Sequence, residues 1–80
     1  MFYVYILESL DYEDQIYIGF TNNLKSRLKD HNTGNSKHTN KFKPWQIIYA
    51  SIFLDKSKAL AFEKYLKSNS GRAFLRKRLI

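Results

Sequence analysis

Glu63 is the only acidic residue among the last 25, Lys56 to Ile80, where eight lysines and arginines surround it. A segment this basic is suited to bind phosphate, so a carboxylate inside it needs an explanation. A salt bridge to Lys67, four residues later on a helix, would contribute only about 0.2–0.5 kcal/mol. A metal ligand is the alternative, because Mg²⁺ prefers oxygen ligands and often takes only one or two carboxylates. Taken alone, the segment favours the salt bridge, and the rest of the chain decides.

Arg27 and His31 form a second pair of candidates. With Leu24 and Leu28 they fall at i, i+3, i+4 and i+7, the positions of one core-facing helical stripe. Arginine offers a permanent, forked cation for phosphate oxygens, and histidine can transfer a proton near neutral pH. Alternatively, the arginine extends past Leu28 into solvent and the histidine is an ordinary half-buried helix residue. Both interpretations are open at this point.

Tyrosines on two predicted strands are the third set. Tyr5 and Tyr17 can point to the same side of neighbouring strands if the register allows. Gly19 lacks a side chain and would leave room beside them for a substrate backbone. Tyrosine is also a normal strand residue, so neither ring is informative alone.

The elements that position these residues follow from the order of apolar and polar residues. An apolar run predicts a first strand covered on both faces, and residues 11–14 turn back into a second, antiparallel strand. Asn22–Asn23 and Asp55 supply helix-start chemistry, Gly34 a left-handed stop, and Ser70–Gly71 a break before the last helix. The predicted strands are Phe2–Leu7, Gln15–Thr21 and Gln46–Phe53, and the predicted helices are Leu24–Asn32, Lys56–Ser68 and Arg72–Leu79.

The order β-β-α-β-α-α predicts an α+β fold, a small three-stranded, mainly antiparallel sheet flanked by helices. Residues 35–43 are polar and basic, which predicts a mobile loop. No repeat or linker divides the chain, so residues 1–80 are predicted to form one domain with a small core. The chain has no cysteine, which excludes disulfides and thiolate metal sites. It shows no signal peptide and no run of membrane-spanning length, so we expect a cytoplasmic protein.

Charge is unevenly distributed along the chain. Residues 1–30 contain three Lys or Arg against five Asp or Glu, whereas residues 31–80 contain eleven against two. Such concentrated positive charge is typical of proteins that bind nucleic acid or an anionic surface, although an idle basic surface is also common. No metalloprotease, P-loop, zinc or Ser-His-Asp pattern is present.

In combination, these residues resemble the GIY-YIG nuclease superfamily, in particular its small stand-alone bacterial members. Tyr3-Val4-Tyr5 stands at the first triplet, and Tyr17-Ile18-Gly19 matches the second, with eleven residues between the two triplets. Thr21 to Gly34 is similar to the helix segment that follows, Lys43-Pro44-Trp45 to the segment before the third strand, and Glu63 to the metal glutamate. The resemblance covers nearly the whole chain.

The resemblance implies hydrolysis of DNA phosphodiesters with one divalent metal ion, Mg²⁺ or Mn²⁺, in DNA repair or nucleic-acid processing. Tyr17 would activate or position the attacking water. An unperturbed tyrosine has a pKa of about 10, so Arg27 or the metal would have to favour the phenolate. Arg27 would stabilise charge on the phosphoryl oxygens. Tyr5 would orient water or the phosphate. His31 would form a hydrogen bond or relay a proton, and Glu63 would hold the metal.

Substrate contacts are expected from five further positions, and the chain departs from the family pattern at three places. Tyr3-Val4 replaces the Gly-Ile of the family name. Phe20 occupies a position where some members have lysine, and Asn69 follows Glu63 by only six residues, earlier than the asparagine of several known members. The expected substrate-binding residues are Gly19, Lys25, Lys37, Thr39 and Lys67.

The expected partner is nucleic acid. The resemblance favours DNA, and the sequence alone does not distinguish DNA from RNA. No membrane partner is expected, and the assembly is a monomer or weak homodimer. Low sequence preference follows from the lack of an added recognition domain, because phosphate contacts position a substrate without reading its bases. The alternative is a catalytically weak binding module that tracks phosphates with its basic second half. A subunit that docks an acidic protein is a third hypothesis, supported by charge alone.

Overall fold

A three-stranded antiparallel sheet forms the centre of the computed structural model, which describes residues 1–80. The strands are β1, Phe2–Ser9, β2, Ile16–Thr21, and β3, Trp45–Phe53, in the order β2-β1-β3. The central strand is the apolar run, and its residues Val4 to Leu7 are buried on both faces. The predicted hairpin and the α+β fold are therefore confirmed.

Three helices flank the sheet, and side chains cap each of them. They are α1, Leu24–Thr33, α2, Lys56–Lys67, and α3, Asn69–Arg78. Asn23 caps α1 by accepting from the backbone N–H of Ser26 at 3.1 Å, and Asp55 caps α2 in the same way. Gly34 ends α1 in the left-handed conformation, with φ of 84°, as predicted from the glycine.

The helices divide between the two faces of the sheet. α1 covers one face, where Leu24 and Leu28 pack against a cluster of Tyr5, Leu7 and Trp45. α2 and α3 cover the other face, and their buried residues join the even-numbered side chains of β1 in the larger core. The residues of that core are Val4, Ile6, Ile18, Ala59, Leu66 and Leu75.

The predicted break at Ser70–Gly71 is wrong, because α3 begins at Asn69 and runs through both residues. The chain turns at Ser68, two residues before Ser70. The Ser68 hydroxyl accepts from the backbone N–H of Gly71 and caps α3. Gly71 is needed here for space, since a Cβ at this position would overlap the backbone carbonyl of Tyr65. The glycine thus allows α3 to pack closely against the end of α2.

Residues 35–43 form the predicted loop between α1 and β3, and several contacts anchor it. Ser36 and Thr39 are buried, and residues Asn40–Phe42 form a 3₁₀ turn. The hydroxyl of Ser9 donates to the carbonyl of Phe42 at 2.7 Å, which fastens the segment to the end of β1. The polar composition of the segment gives no indication of these contacts.

Candidate active site

Tyr5 and Tyr17 lie on the same face of the sheet, as the strand alternation predicted. The register pairs Tyr5 with Gly19 and Leu7 with Tyr17, and the two tyrosine ring centroids are 6.2 Å apart. A Cβ on Gly19 would overlap the end of the Tyr5 ring. The glycine therefore makes room for Tyr5 rather than for a substrate backbone, which corrects the expectation for Gly19.

His31 is fully buried on α1, where its ring joins both tyrosines. Its Nε2 is 2.9 Å from the hydroxyl of Tyr5, and its Nδ1 is 2.6 Å from the hydroxyl of Thr39. The ring centroids of His31 and Tyr17 are 4.8 Å apart. The helical stripe thus places His31 among functional groups, and both of its nitrogens have a partner.

The row Tyr5–His31–Thr39 can carry its hydrogen bonds in two directions. A neutral imidazole has one donor and one acceptor nitrogen, and each hydroxyl can either donate or accept. Tyr5 therefore either donates to Nε2 or accepts from it, according to the tautomer. A change of tautomer would therefore reverse which group donates in each bond, while the phenol keeps its own proton.

Burial keeps both members of this pair neutral. It raises the pKa of Tyr5 to about 12, with a further rise from Tyr17 and an opposing effect of Arg27. Burial also lowers the pKa of His31, and the positive charge of Arg27 lowers it further while Asp30 opposes. Near pH 7 the site holds a neutral phenol against a neutral imidazole.

Arg27 lies one turn before His31 and supplies the positive charge of the site. Burial alone would lower the pKa of its guanidinium, but the nearby phenols of Tyr5 and Tyr17 outweigh that effect and raise it. Its nearest carboxylate oxygen, of Asp30, is 3.8 Å away, and the Arg27 side chain is 38% exposed, so this salt bridge is weak. The guanidinium can therefore turn toward an anionic ligand beside the tyrosines.

Glu63 is partly buried on α2, with its side chain 19% exposed, and it forms the salt bridge with Lys67 at 3.1 Å. Its negative charge also contributes, behind burial and Tyr17, to the raised pKa of Tyr5. The carboxylate acts on Tyr5 through its charge alone, because α2 covers the opposite face of the sheet and the only side chain that Glu63 bonds is Lys67. Lys67 is held by this carboxylate in the structure.

The chemistry of Glu63 fits a Mg²⁺ or Mn²⁺ ligand of the one-carboxylate kind. No group of three or more His, Cys, Asp or Glu side chains lies together in the structure, so a site enclosed by protein ligands is absent. Mg²⁺ usually keeps several waters and binds through one or two carboxylates plus substrate phosphates. Glu63 with a bound phosphate would meet that requirement.

The other expected substrate residues divide into exposed and buried positions. Lys25 and Lys37 are exposed. Thr39 is only 1% exposed and bonds His31, which corrects the expectation that it contacts substrate. Phe20 stacks on Phe2 at 6.0 Å and packs against the larger core, so its position faces away from Tyr5.

Sequence reasoning missed the support that Thr39 gives to the site. The indole Nε1 of Trp45 donates to the Thr39 carbonyl at 2.8 Å. This bond holds Thr39 in contact with Nδ1 of His31. Asn32 in turn holds the backbone of Trp45. No local pattern could reveal these bonds, because their partners are separated by loops.

Comparison with known proteins identifies a family and several relatives. The model of the GIY-YIG catalytic domain matches residues 1–78. The chain is 41% identical to a UPF0213 protein of Oceanobacillus iheyensis over 66 residues, which are 81% of this chain and 74% of that protein. It is also 41% identical to a UPF0213 protein of Lactiplantibacillus plantarum over 78 residues, covering 94% of this chain and 75% of that protein.

A solved structure shares the fold. The solution NMR structure of a UPF0213 protein from Bacillus halodurans superimposes with a TM-score of 0.57 at 31% identity. The match covers 96% of this chain and 84% of that one. None of the three helices here is long and apolar enough to cross a membrane.

Proposed function

The chain belongs to the GIY-YIG catalytic-domain family, and we propose that it is a metal-dependent endonuclease that hydrolyses phosphodiester bonds of DNA with low sequence specificity. Family membership implies nuclease activity in general and a nucleic-acid substrate. The observation that supports the finer proposal is the buried Tyr5–His31 hydrogen bond, with Tyr17 against the same imidazole and Arg27 beside both phenols.

Tyr17 is the group proposed to position the attacking water. It is less buried than Tyr5, and its ring lies against His31 rather than being fixed by a hydrogen bond to it. Arg27 would hold a phosphoryl oxygen and stabilise the negative charge that grows there in the transition state. A cation that turns to meet the developing negative charge stabilises it electrostatically.

Tyr5 and His31 are proposed to act together as a neutral pair. With a pKa of about 12, Tyr5 keeps its proton at physiological pH. It is therefore poorly suited to act as a base. Because Tyr5 is only 1% exposed and its hydroxyl bonds His31, it would orient water or a phosphate oxygen only through the edge of that hydroxyl. His31 would hold the Tyr5 hydroxyl in one orientation through Nε2, while Thr39 bonds its Nδ1 and fixes the ring.

Glu63 is proposed to hold the divalent ion. When bound, Mg²⁺ or Mn²⁺ would supply a Lewis acid that neutralises charge on the phosphate and leaving oxygens. Glu63 would then exchange its salt bridge with Lys67 for the ion, which leaves the Lys67 ammonium free to contact a phosphate. This exchange would reconcile the two explanations of the lone carboxylate.

The test is cleavage by purified protein of supercoiled, linear, single-stranded and branched DNA and of RNA. Each substrate is incubated with Mg²⁺, Mn²⁺ or EDTA. The variants Glu63→Gln and Tyr17→Phe are compared with Glu13→Gln and Tyr12→Phe, which make the same chemical changes at exposed residues of the β1–β2 turn. We expect metal-dependent cleavage that only the first two variants lose.

Other outcomes would point elsewhere. Cleavage that survives Glu63→Gln would contradict the proposed metal site. If neither the wild type nor any of the four variants cleaves, and all of them bind DNA in a salt-sensitive way, the phosphate-binding module is favoured instead. Cleavage of RNA alone would retain the nuclease and change its substrate.

A further inference from the structure

A groove of about 530 Å³ lies on the α1 face of the sheet, and the roles proposed above leave it unused. Apolar and aromatic side chains, Tyr3, Leu24, Leu28 and Ile47, form much of its lining. Asn22 and Lys25 contribute polar groups. Cavities of about 300–1,000 Å³ with an apolar lining and a few polar groups are typical of ligand sites.

The groove continues from the candidate active site along two elements. Tyr3 and Tyr5 are neighbours on one face of β1, about 6.8 Å apart along the strand. Leu28 and His31 are likewise one helical turn apart on α1. A DNA strand with its scissile phosphate beside Tyr5 would therefore bring an adjacent nucleotide to the groove.

The side chains of the groove fit a nucleobase. The ring of Tyr3 stands at the first position of the triplet, where the family name has glycine. Aromatic rings at this kind of site stack bases whatever their sequence. Asn22 is exposed and its amide can both donate and accept, whereas the side-chain oxygen of Asn23 is already used to cap α1. Lys25 can pair with the phosphate of the same nucleotide.

We propose that this groove binds an unstacked base of the substrate strand next to the scissile phosphate, with Tyr3 as the stacking surface. The inference rests on the proposed nuclease function and narrows its substrate to DNA with an unpaired nucleotide at the cut. A base within a duplex would first have to leave the stack, which costs a few kcal/mol. A second copy of the chain fits the groove less well, because both copies are strongly basic.

The experiment compares binding of two oligonucleotides of about 12 nucleotides, one of thymidylate and one wholly abasic, by fluorescence anisotropy in EDTA. Both carry the same phosphates, so their difference reports the bases alone. We expect the wild type to bind thymidylate about 5- to 150-fold more tightly, the range that one stacked base supplies. Tyr3→Ala should lose most of that ratio, and Tyr3→Phe should keep it. The control Tyr12→Ala, at an exposed aromatic of the β1–β2 turn, should also keep it.

A ratio in Tyr3→Ala equal to that of the wild type would overturn the proposal. So would dissociation of a wild-type dimer by Tyr3→Ala, because the groove would then be an interface between copies. Should Tyr3→Ala not fold, wild-type protein is photocrosslinked to single-stranded DNA that carries 5-iodouracil. A crosslink at Tyr3 supports the groove, and crosslinks confined to other rings contradict it. Metal-dependent cleavage without any base effect would remove this inference and leave the nuclease intact.

Discussion

Thr39 controls the ring of His31 although it does not reach the surface. Thr39→Val keeps the shape of the side chain but leaves Nδ1 of His31 without its partner. A buried polar group left unpaired costs about 1–3 kcal/mol. We expect that loss of unfolding free energy in urea, and cleavage slowed about 10- to 100-fold as the imidazole loses its orientation.

Thr39→Ser is the matched control, because it retains the hydroxyl. It should recover most of the cleavage rate even if the lost methyl group lowers stability. Equal cleavage rates in the valine and serine variants would show that the hydroxyl of Thr39 does not orient His31.

Burial of His31 also makes stability depend on pH. Its pKa in the folded protein lies below the ordinary value of 6.5, so the unfolded chain binds the proton more readily. The stabilisation is therefore complete above about pH 6.5 and is lost as the pH falls through the folded pKa. We expect the urea midpoint to fall between pH 7.5 and 5.

The variant His31→Gln separates this effect from other titrations. It should be less stable at pH 7.5 but should show a flatter dependence between pH 7.5 and 5. Hydrogen bonds from Ser57 lower the pKa of the capping carboxylate of Asp55. Its effect on stability therefore appears only below its ordinary pKa of 3.8, outside this range. A dependence in His31→Gln as steep as in the wild type would assign it to another group.

Among the elements, the junction of α2 and α3 predicts a change in stability opposite to the one that helix propensity predicts. Gly71→Ala, judged by propensity alone, should stabilise a helix by about 1 kcal/mol. The structure predicts the reverse, because the added Cβ would overlap the carbonyl of Tyr65 and force the helices apart. We expect a loss of about 1–3 kcal/mol in urea unfolding. Arg72→Ala, at an exposed neighbour, should change stability by less than about 0.5 kcal/mol. A stabilised Gly71→Ala would show that the junction is loose.

This junction shows why only part of the structure could be predicted. The tyrosine face of the sheet and the stripe of Arg27 and His31 follow from periods of two and 3.6 residues, which need no knowledge of distant contacts. Gly71 has the same local signal whether it ends a helix or lets two helices touch. Thr39 meets His31 only because Trp45 and Ser9 anchor the intervening segment. Such contacts between elements leave no periodic trace in the sequence.

At the scale of the whole molecule, the basic residues occupy both faces of the sheet. Lys25 belongs to α1 and Lys37 to the segment that follows it, on the same face as Tyr5, whereas the arginines of α3 lie on the opposite side. Charge counted along the chain assigned phosphate binding mainly to the second half. The fold instead puts Lys25, from the first half, on the face of Tyr5 and Tyr17, where the proposed function would place the scissile phosphate.

Salt dependence of binding can tell the two faces apart. For single-stranded DNA, each phosphate contact contributes about 0.7 to the slope of log affinity against log salt. The double variant Lys25→Ala/Lys37→Ala should therefore lower the slope by about 1.4 if each lysine neutralises one phosphate. Arg76→Ala/Arg78→Ala removes the same charge from α3 and should leave the slope unchanged on a short single strand. Equal losses in both variants would mean that the strand wraps around the domain, and a loss confined to the α3 variant would place the substrate on the wrong face for Tyr5 and Tyr17 to act.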